Sequence, residues 1–292
     1  MTTPPNPRRA ALGLGLASIA AIAATRDAAA QAPASTWERI KSTGELRIGV
    51  TQGEPWFFKD LATNEWGGIG HAAGKQVAAD LGVKLVTVET TWGNAVAALQ
   101  AGQFDVMFVL DATPQRAQAV DFPVQPLFYY AQGVLVRDGL TVKRWSDLDK
   151  PDITIGVTLG TAPDRDLTAR LKQAKIERFT SNDQSVLAFQ SGKVHAISLY
   201  HPALVMQRKR VNMGKVVIPE PARASTTSAG IRREPDKTFR DWLGLALDFY
   251  YVTGATQGWY ETFLASRGID PADAPAVMKE MWGRSRVLKG NK

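Results

Sequence analysis

From residue 46 onward, short apolar runs alternate with stretches that carry apolar residues at helical spacing. Leu46–Val50 (LRIGV), Lys84–Val88 and Asp105–Leu110 (DVMFVL) are predicted as buried strands. Helices are predicted over Ala72–Leu81 and Ala95–Leu99, the second closed by Gly102. Strands alternating with helices across short joins predict a parallel sheet covered on both faces by helices. The pattern then restarts. Leu127–Val136 (LFYYAQGVLV) is a long strand-like run, followed by strands at Ile153–Val157, Ile176–Phe179 and Val194–Leu199. Helices near Arg165–Leu171 and Gln184–Gln190 separate them, with Asn182 as N-cap of the second. Val216–Ile218 and Ser228–Ile231 are predicted strands flanking Pro219-Glu220-Pro221. Phe239, Trp242, Leu243, Ala246, Leu247 and Tyr250 then recur at the spacing of a helix packed on a core.

Two α/β units in series with a helical tail predict two lobes. Extended segments near Phe128–Gly133 and Pro219–Ser225 lie between the blocks. If both cross from one lobe to the other, the tail rejoins the first lobe and the link is a two-strand hinge beneath a cleft. The expected boundaries are 36–128 plus 226–292 for the first lobe and 129–225 for the second, with separate sheets.

The segment before residue 36 follows another pattern. Arg8-Arg9 precede the apolar run Leu12–Ala24, and Ala28-Ala29-Ala30 stand before Gln31. This is the layout of a secretory leader over 1–30, cleaved at Ala30-Gln31, with 31–35 as linker. The apolar run is too short to span a bilayer. The arginine pair leaves both the general and the twin-arginine export routes open, and the periplasm is the expected destination.

Composition narrows the function. The chain has 292 residues, 45% of them hydrophobic, which is ample for a core, and no cysteine. Disulfides, thiolate nucleophiles and Cys-held metals are therefore excluded. The formal charge is +7, and about +5 remains once Arg8, Arg9, Arg26 and Asp27 leave with the leader. Lysines and arginines are dispersed, with no basic run interleaved with aromatics, so nucleic acid is not an expected partner. The excess charge suits anionic partners. His71, His195 and His201 show no metal-ligand spacing, and GxSxG, HExxH and SxxK are absent. Gly68-Ile69-Gly70 with Gly74 follows no predicted strand and is not a dinucleotide loop. No cofactor, metal or catalytic residue is expected.

An ordered series of motifs carries a resemblance. "GELRIGVTQGEPWFF", "TTWGNAVAALQAGQFDVMFV", "ATPQRAQAVDFPVQPLFYYAQGVLV", "VTLGT", "FQSGKVHAI" and "FRDWLGLALDFYYVTGATQGWYETF" follow one another from about Gly44 to Leu264. The chain resembles the family 3 extracellular solute-binding proteins, the periplasmic receptors for amino acids and similar solutes in ABC importers. The resemblance implies the two-lobed periplasmic-binding-protein fold, a small-molecule ligand, an ABC transporter permease as partner and a monomer. It also implies that Arg116 binds the ligand's carboxylate, joined from the second lobe by Gly160 and Thr161, with Trp56, Phe57 and Trp92 over the ligand. Physical chemistry agrees in part. Thr113 can N-cap a helix with Pro114 in its first turn, setting the Arg116 fork beside free N–H groups. Gly160-Thr161 lies at the carboxyl end of a strand, where α/β sheets bind ligands.

The chain also departs from the family's pattern. Where members that bind α-amino acids carry an acidic partner for the ammonium, shortly after the "GxxDA" strand, this chain has Tyr200, with His201 beside it. Asp111 stands where a small hydroxyl residue is common, and can either meet a ligand cation or neutralise Arg116. Gly70-His71-Ala72 lacks the usual acidic residues of the first helix. The same fold is known in dehydratases acting on prephenate or arogenate, and a ligand-sensing module for a receptor kinase is a further alternative.

Overall fold

The computed structural model describes residues 1–2 and 35–284. The leader and its cleavage point lie outside the described residues. The first block forms as expected. Strand Glu45–Val50 pairs in parallel with Lys84–Glu89 and, at Ile48, with Val106–Asp111. Helices Ile69–Leu81 and Ala95–Gln100 connect them. In the second block Thr154–Thr158 pairs in parallel with Lys175–Phe179 and with Ala196–Tyr200. Helices Ala162–Arg170 and Asn182–Gln190 intervene. Ile48, Val106 and Phe108 in the first block and Ile155, Val157 and Ile197 in the second have no exposed surface. Strands buried on both faces read as continuous apolar runs, which is why the sequence shows them.

Two long strands join the blocks. Phe128–Val136 and Arg223–Arg232 pair antiparallel over five positions, from Phe128↔Thr227 to Gln132↔Arg223. Each then leaves its partner. Gly133–Val136 continues beside Ala196–Leu199 in the second lobe, while Ser228–Ile231 continues beside Val106–Leu110 in the first. The result is a two-lobed α/β fold whose hinge is this pair. The sheet is mixed, since the crossing strands run against the parallel ones they join. The expectation of two separate sheets is corrected: because the crossing strands bond to each other, the ladder is unbroken from Lys84–Glu89 to Lys175–Phe179. Unpaired backbone at a buried crossing would be costly, and the shared ladder avoids it.

Other differences are local. The strand expected at Ser228–Ile231 begins at Arg223, so the second crossing segment and that strand are one element. Ser181, not Asn182, is the N-cap of its helix, its Oγ accepting from Gln184 N at 3.2 Å. Helices Thr36–Thr43 and His201–Val211 were not predicted. The tail forms helices Thr238–Val252 and Ala255–Ser266, and Phe239, Leu243, Leu247 and Tyr250 are buried as the stripe required. Beyond them, residues near 275–277 lie along the first crossing strand. Tyr129 N donates to Val277 O at 2.9 Å, Ala131 N donates to His201 Nδ1 at 2.9 Å, and His201 Nε2 lies 3.3 Å from Pro275 O. Among the described residues no helix is long and apolar enough to cross a membrane.

Candidate functional site

The carboxyl ends of the parallel strands, three from each lobe, meet around one cavity of about 40 Å³. From the first lobe come Trp56 after Glu45–Val50, Trp92 after Lys84–Glu89, Asp111 ending Val106–Asp111, and Arg116 beyond it. From the second come Thr161 and Pro163 after Thr154–Thr158, Asn182 after Lys175–Phe179, and Tyr200 ending Ala196–Tyr200. Tyr130, on the hinge, forms the floor with Val109 and Leu199.

Asp111 is the centre of this arrangement. Opposite the hinge strand, Leu110 pairs with Ser228 but Phe108 pairs with Ala229, so Val109 is an extra residue in the ladder. Val109 has φ 59°, a conformation costly for a β-branched residue. Such a bulge re-aims the residues beyond it, and here Asp111 follows two positions later with only 5% of its surface exposed. The Tyr130 hydroxyl donates to Asp111 Oδ1, and the Tyr200 hydroxyl donates to Oδ2 at 3.1 Å. The two phenol rings are stacked, with centroids 3.7 Å apart and planes 20° apart. Burial pushes the Asp111 carboxyl up, while Arg116 and the two hydroxyls pull it down. Burial and the Asp111 charge push both phenols far up, so they stay donors.

Arg116 is 6% exposed. Its Nη1 donates to Asp111 O at 3.0 Å and lies 3.8 Å from Asp111 Oδ2, while Nη2 donates to Gly160 O across the cleft at 3.2 Å. The helix expected after Thr113 is corrected to a single 3-10 turn, Arg116–Gln118. Thr113 Oγ1 accepts from Arg116 N at 3.3 Å, so Thr113 shapes this turn and stays out of the cavity wall. Among the described residues, this three-residue turn is the helical segment that carries Arg116, in place of the expected α-helix N-terminus.

Gly160 and Thr161 are placed at the cleft but their polar groups are engaged. Gly160 N donates to Asp164 Oδ2 at 3.0 Å, and the Thr161 hydroxyl donates to Thr158 O at 2.7 Å while capping Asp164 N. Gly160 has φ +74°, and a Cβ there would lie 2.8 Å from Gly93 Cα of the first lobe. A Cβ on Gly53 would lie 2.9 Å from Asn182 Nδ2. The lobes therefore touch at two glycine contacts.

Of the aromatics, Trp56 and Trp92 line the cavity, and Trp56 stacks on Phe128 with centroids 5.5 Å apart. Phe57 does not. It is wholly buried in the first-lobe core, its ring 6.0 Å from that of Trp92 and under Gly70. His201 also turns away, into the contact with the tail described above.

The sequence reading missed Tyr130, Val109, Asn182 as a wall residue, and Arg165. Arg165 Nη1 donates to the same Gly160 oxygen that Arg116 uses, at 2.8 Å. Burial, then the neighbouring Arg116, pushes its guanidinium down. A cation in the first turn of a helix opposes the helix dipole, and that misplaced charge was the available signal. Among the described residues no cluster of His, Asp or Glu is arranged to hold a metal.

A family model for bacterial extracellular solute-binding proteins, family 3, matches residues 46–266. The chain is 30% identical over 128 residues to the "Probable histidine-binding protein" of Campylobacter jejuni, covering 42% of this chain and 47% of that one. It is 26% identical over 164 residues to the cyclohexadienyl dehydratase of Pseudomonas aeruginosa, covering 54% and 60%. The matches thus span about half the length of these relatives. Among solved structures, an ancestral amino-acid-binding protein, described as a precursor of cyclohexadienyl dehydratase, superposes with a TM-score of 0.69. Its identity is 29%, over 80% of this chain and 99% of that one.

Proposed function

The chain belongs to the bacterial extracellular solute-binding proteins of family 3, and from that premise we propose that it captures an amino-acid-like solute for delivery to an ABC transporter. One observation carries the reading: Asp111 and Arg116, opposite charges 3.8 Å apart and nearly dry, line the same interlobe cavity. Buried charges are costly without partners, and a zwitterion supplies one for each. Arg116 takes the carboxylate through its charge-assisted fork. Asp111 takes the ammonium, held in place by Tyr130 and Tyr200. Trp56 and Trp92 cover the remainder of the solute. Gly160 and Thr161 contribute by exchanging their internal bonds for the ligand when the lobes part and close again.

The lobes divide at 36–128 plus 226–292 and 129–225. The protein is exported with loss of residues 1–30, works in the periplasm as a monomer, meets a permease and performs no chemistry on its solute. Mass spectrometry of ligand carried through purification, followed by calorimetric titration, tests the reading. Arg116→Ala is expected to weaken binding about tenfold to over a hundredfold. Unchanged affinity would remove the carboxylate clamp. Asp111→Asn is expected to weaken zwitterions more than simple carboxylates, and stronger anion binding would instead make Asp111 a mere counter-ion to Arg116.

The dehydratase relative and the upward push on the Asp111 carboxyl favour a second reading, in which a protonated Asp111 serves as general acid. Turnover of prephenate by the purified protein separates the two.

A further inference from the structure

The charges around the cavity do not balance. Arg116 and Arg165 both reach Gly160 O, at 3.2 and 2.8 Å, so the two guanidinium groups stand side by side at one point of the cleft. Asp111 is the acidic residue in the cavity wall, and it already lies 3.8 Å from Arg116. Arg165 forms no ion pair among the described residues. Its Nη2 is buried and has no hydrogen-bond partner among them. Like charges crowded together with one donor unsatisfied are expensive. The helix dipole adds to the cost, since Arg165 sits in the first turn of Ala162–Arg170. Arg178, not Arg165, neutralises the neighbouring Asp164, with Nε at 2.9 Å. Asp111 and Asp164 attract Arg165 from nearby, but each already faces another arginine, Arg116 or Arg178, so one positive charge is left over for what enters the cleft to offset.

We propose that Arg165 is a specificity determinant that reads a second carboxylate, so that the solute is an acidic amino acid or a similar dicarboxylate-bearing zwitterion. Asp111 and Arg116 in the wall, with Arg165 beside them on the carbonyl that Arg116 shares, then meet two anions and one cation on the ligand. The shared carbonyl sets the two guanidinium groups within reach of carboxylates separated by a short aliphatic stem. Basic side chains are excluded, because their second cation would face Arg165, where no unpaired carboxylate stands among the described residues. This assignment rests on the zwitterion reading above and refines it.

Calorimetric titration of the mature protein with L-aspartate, L-glutamate, L-alanine, L-histidine and L-lysine tests it. The wild type is expected to bind an acidic member at least about tenfold more tightly than lysine or histidine, with an advantage that shrinks as salt rises. Arg165→Gln should weaken acidic ligands about tenfold or more while leaving neutral ones within a few-fold, and Arg165→Lys should recover part of the loss. If lysine or histidine binds as tightly as glutamate, or if Arg165→Gln shifts acidic and neutral ligands alike, the assignment is wrong. Binding that depends on Arg116 but not on Arg165 overturns this inference alone. Absence of binding by every member of the panel overturns the zwitterion reading with it. Should Arg165→Gln fail to fold, the wild-type selectivity and its salt dependence decide.

Discussion

Replacing Gly160 by alanine separates two costs that usually arrive together. Gly160 has φ +74°, and an alanine in the left-handed region costs about 1–2 kcal/mol wherever it stands. The added Cβ would also lie 2.8 Å from Gly93 Cα, whereas carbon atoms in contact prefer about 3.5–4.0 Å. The loops of the two lobes would have to move apart by at least several tenths of an ångström. Overpacking of that kind costs about 1–3 kcal/mol. Because Gly93 belongs to the opposite lobe, this second cost falls only on the closed state, and the dissociation constant should rise about fivefold to over a hundredfold. Most of the change should appear in the off-rate. Gly82→Ala is the control, since Gly82 has φ +66° with nothing within 4 Å of the new Cβ. Gly93→Ala is a second one, meeting Leu159 O at 3.4 Å and Thr91 Oγ1 at 4.0 Å, both ordinary contacts. Thermal unfolding should show similar losses for Gly160→Ala and Gly82→Ala, and calorimetry should show weakened binding for Gly160→Ala alone. Wild-type affinity in Gly160→Ala, or equal weakening in Gly82→Ala, would refute closure onto this contact.

Burial lowers His201 from 6.5 to about 4. The unfolded chain therefore takes up a proton that the folded protein refuses, and stability present above pH 6.5 should fall by about 3 kcal/mol as pH drops toward 4. Urea unfolding across that range should lose this component in His201→Gln. Asp105 is buried and bonded to Arg39 and to Arg47 at 2.8 Å, just before the strand whose opposite end carries Asp111. Asp105→Ala should cost about 2–4 kcal/mol on chemical denaturation, discounted for the partial exposure of both arginines, and leave ligand affinity unchanged. Tyr200→Phe removes a hydroxyl that pulls the Asp111 carboxyl down. Binding of a zwitterion should then fail at a higher pH on the acid side than in the wild type, and an unshifted acid limb in pH-dependent titrations would argue against Asp111 as the ammonium's partner.

Legibility followed burial geometry. Parallel strands covered on both faces at the centre of each lobe leave unbroken apolar runs, and the parallel strands were located to within two residues, as with Val106–Asp111 against the expected Asp105–Leu110 and Ala196–Tyr200 against Val194–Leu199. His201–Val211 was invisible because Pro202 reads as a breaker. Its buried residues, His201, Pro202, Ala203, Leu204, Met206 and Gln207, also form no polar-to-apolar stripe. Cavity-wall residues carried by strand ends and motifs, such as Arg116, Trp92 and Thr161, were legible. Trp56 and Phe57 are neighbours in sequence, and only the packing of Phe57 under Gly70 decides which one reaches the cavity. The bulge at Val109 is set by the register of a strand more than a hundred positions away, so no local pattern could announce it.

The two crossing strands also determine which deformations come cheaply. Each passes covalently from one lobe into the other, so pulling the lobes apart along the strands loads peptide bonds rather than the ladder between them. Two such tethers, paired side by side over five residues and about 4.8 Å apart, likewise resist twisting of one lobe about the common axis. Bending across the ribbon needs only small changes in soft backbone dihedrals. The pair behaves as a leaf spring, stiff to stretch and torsion and compliant in one direction, so that opening and reclosing return Gly160 to Gly93 along a single arc.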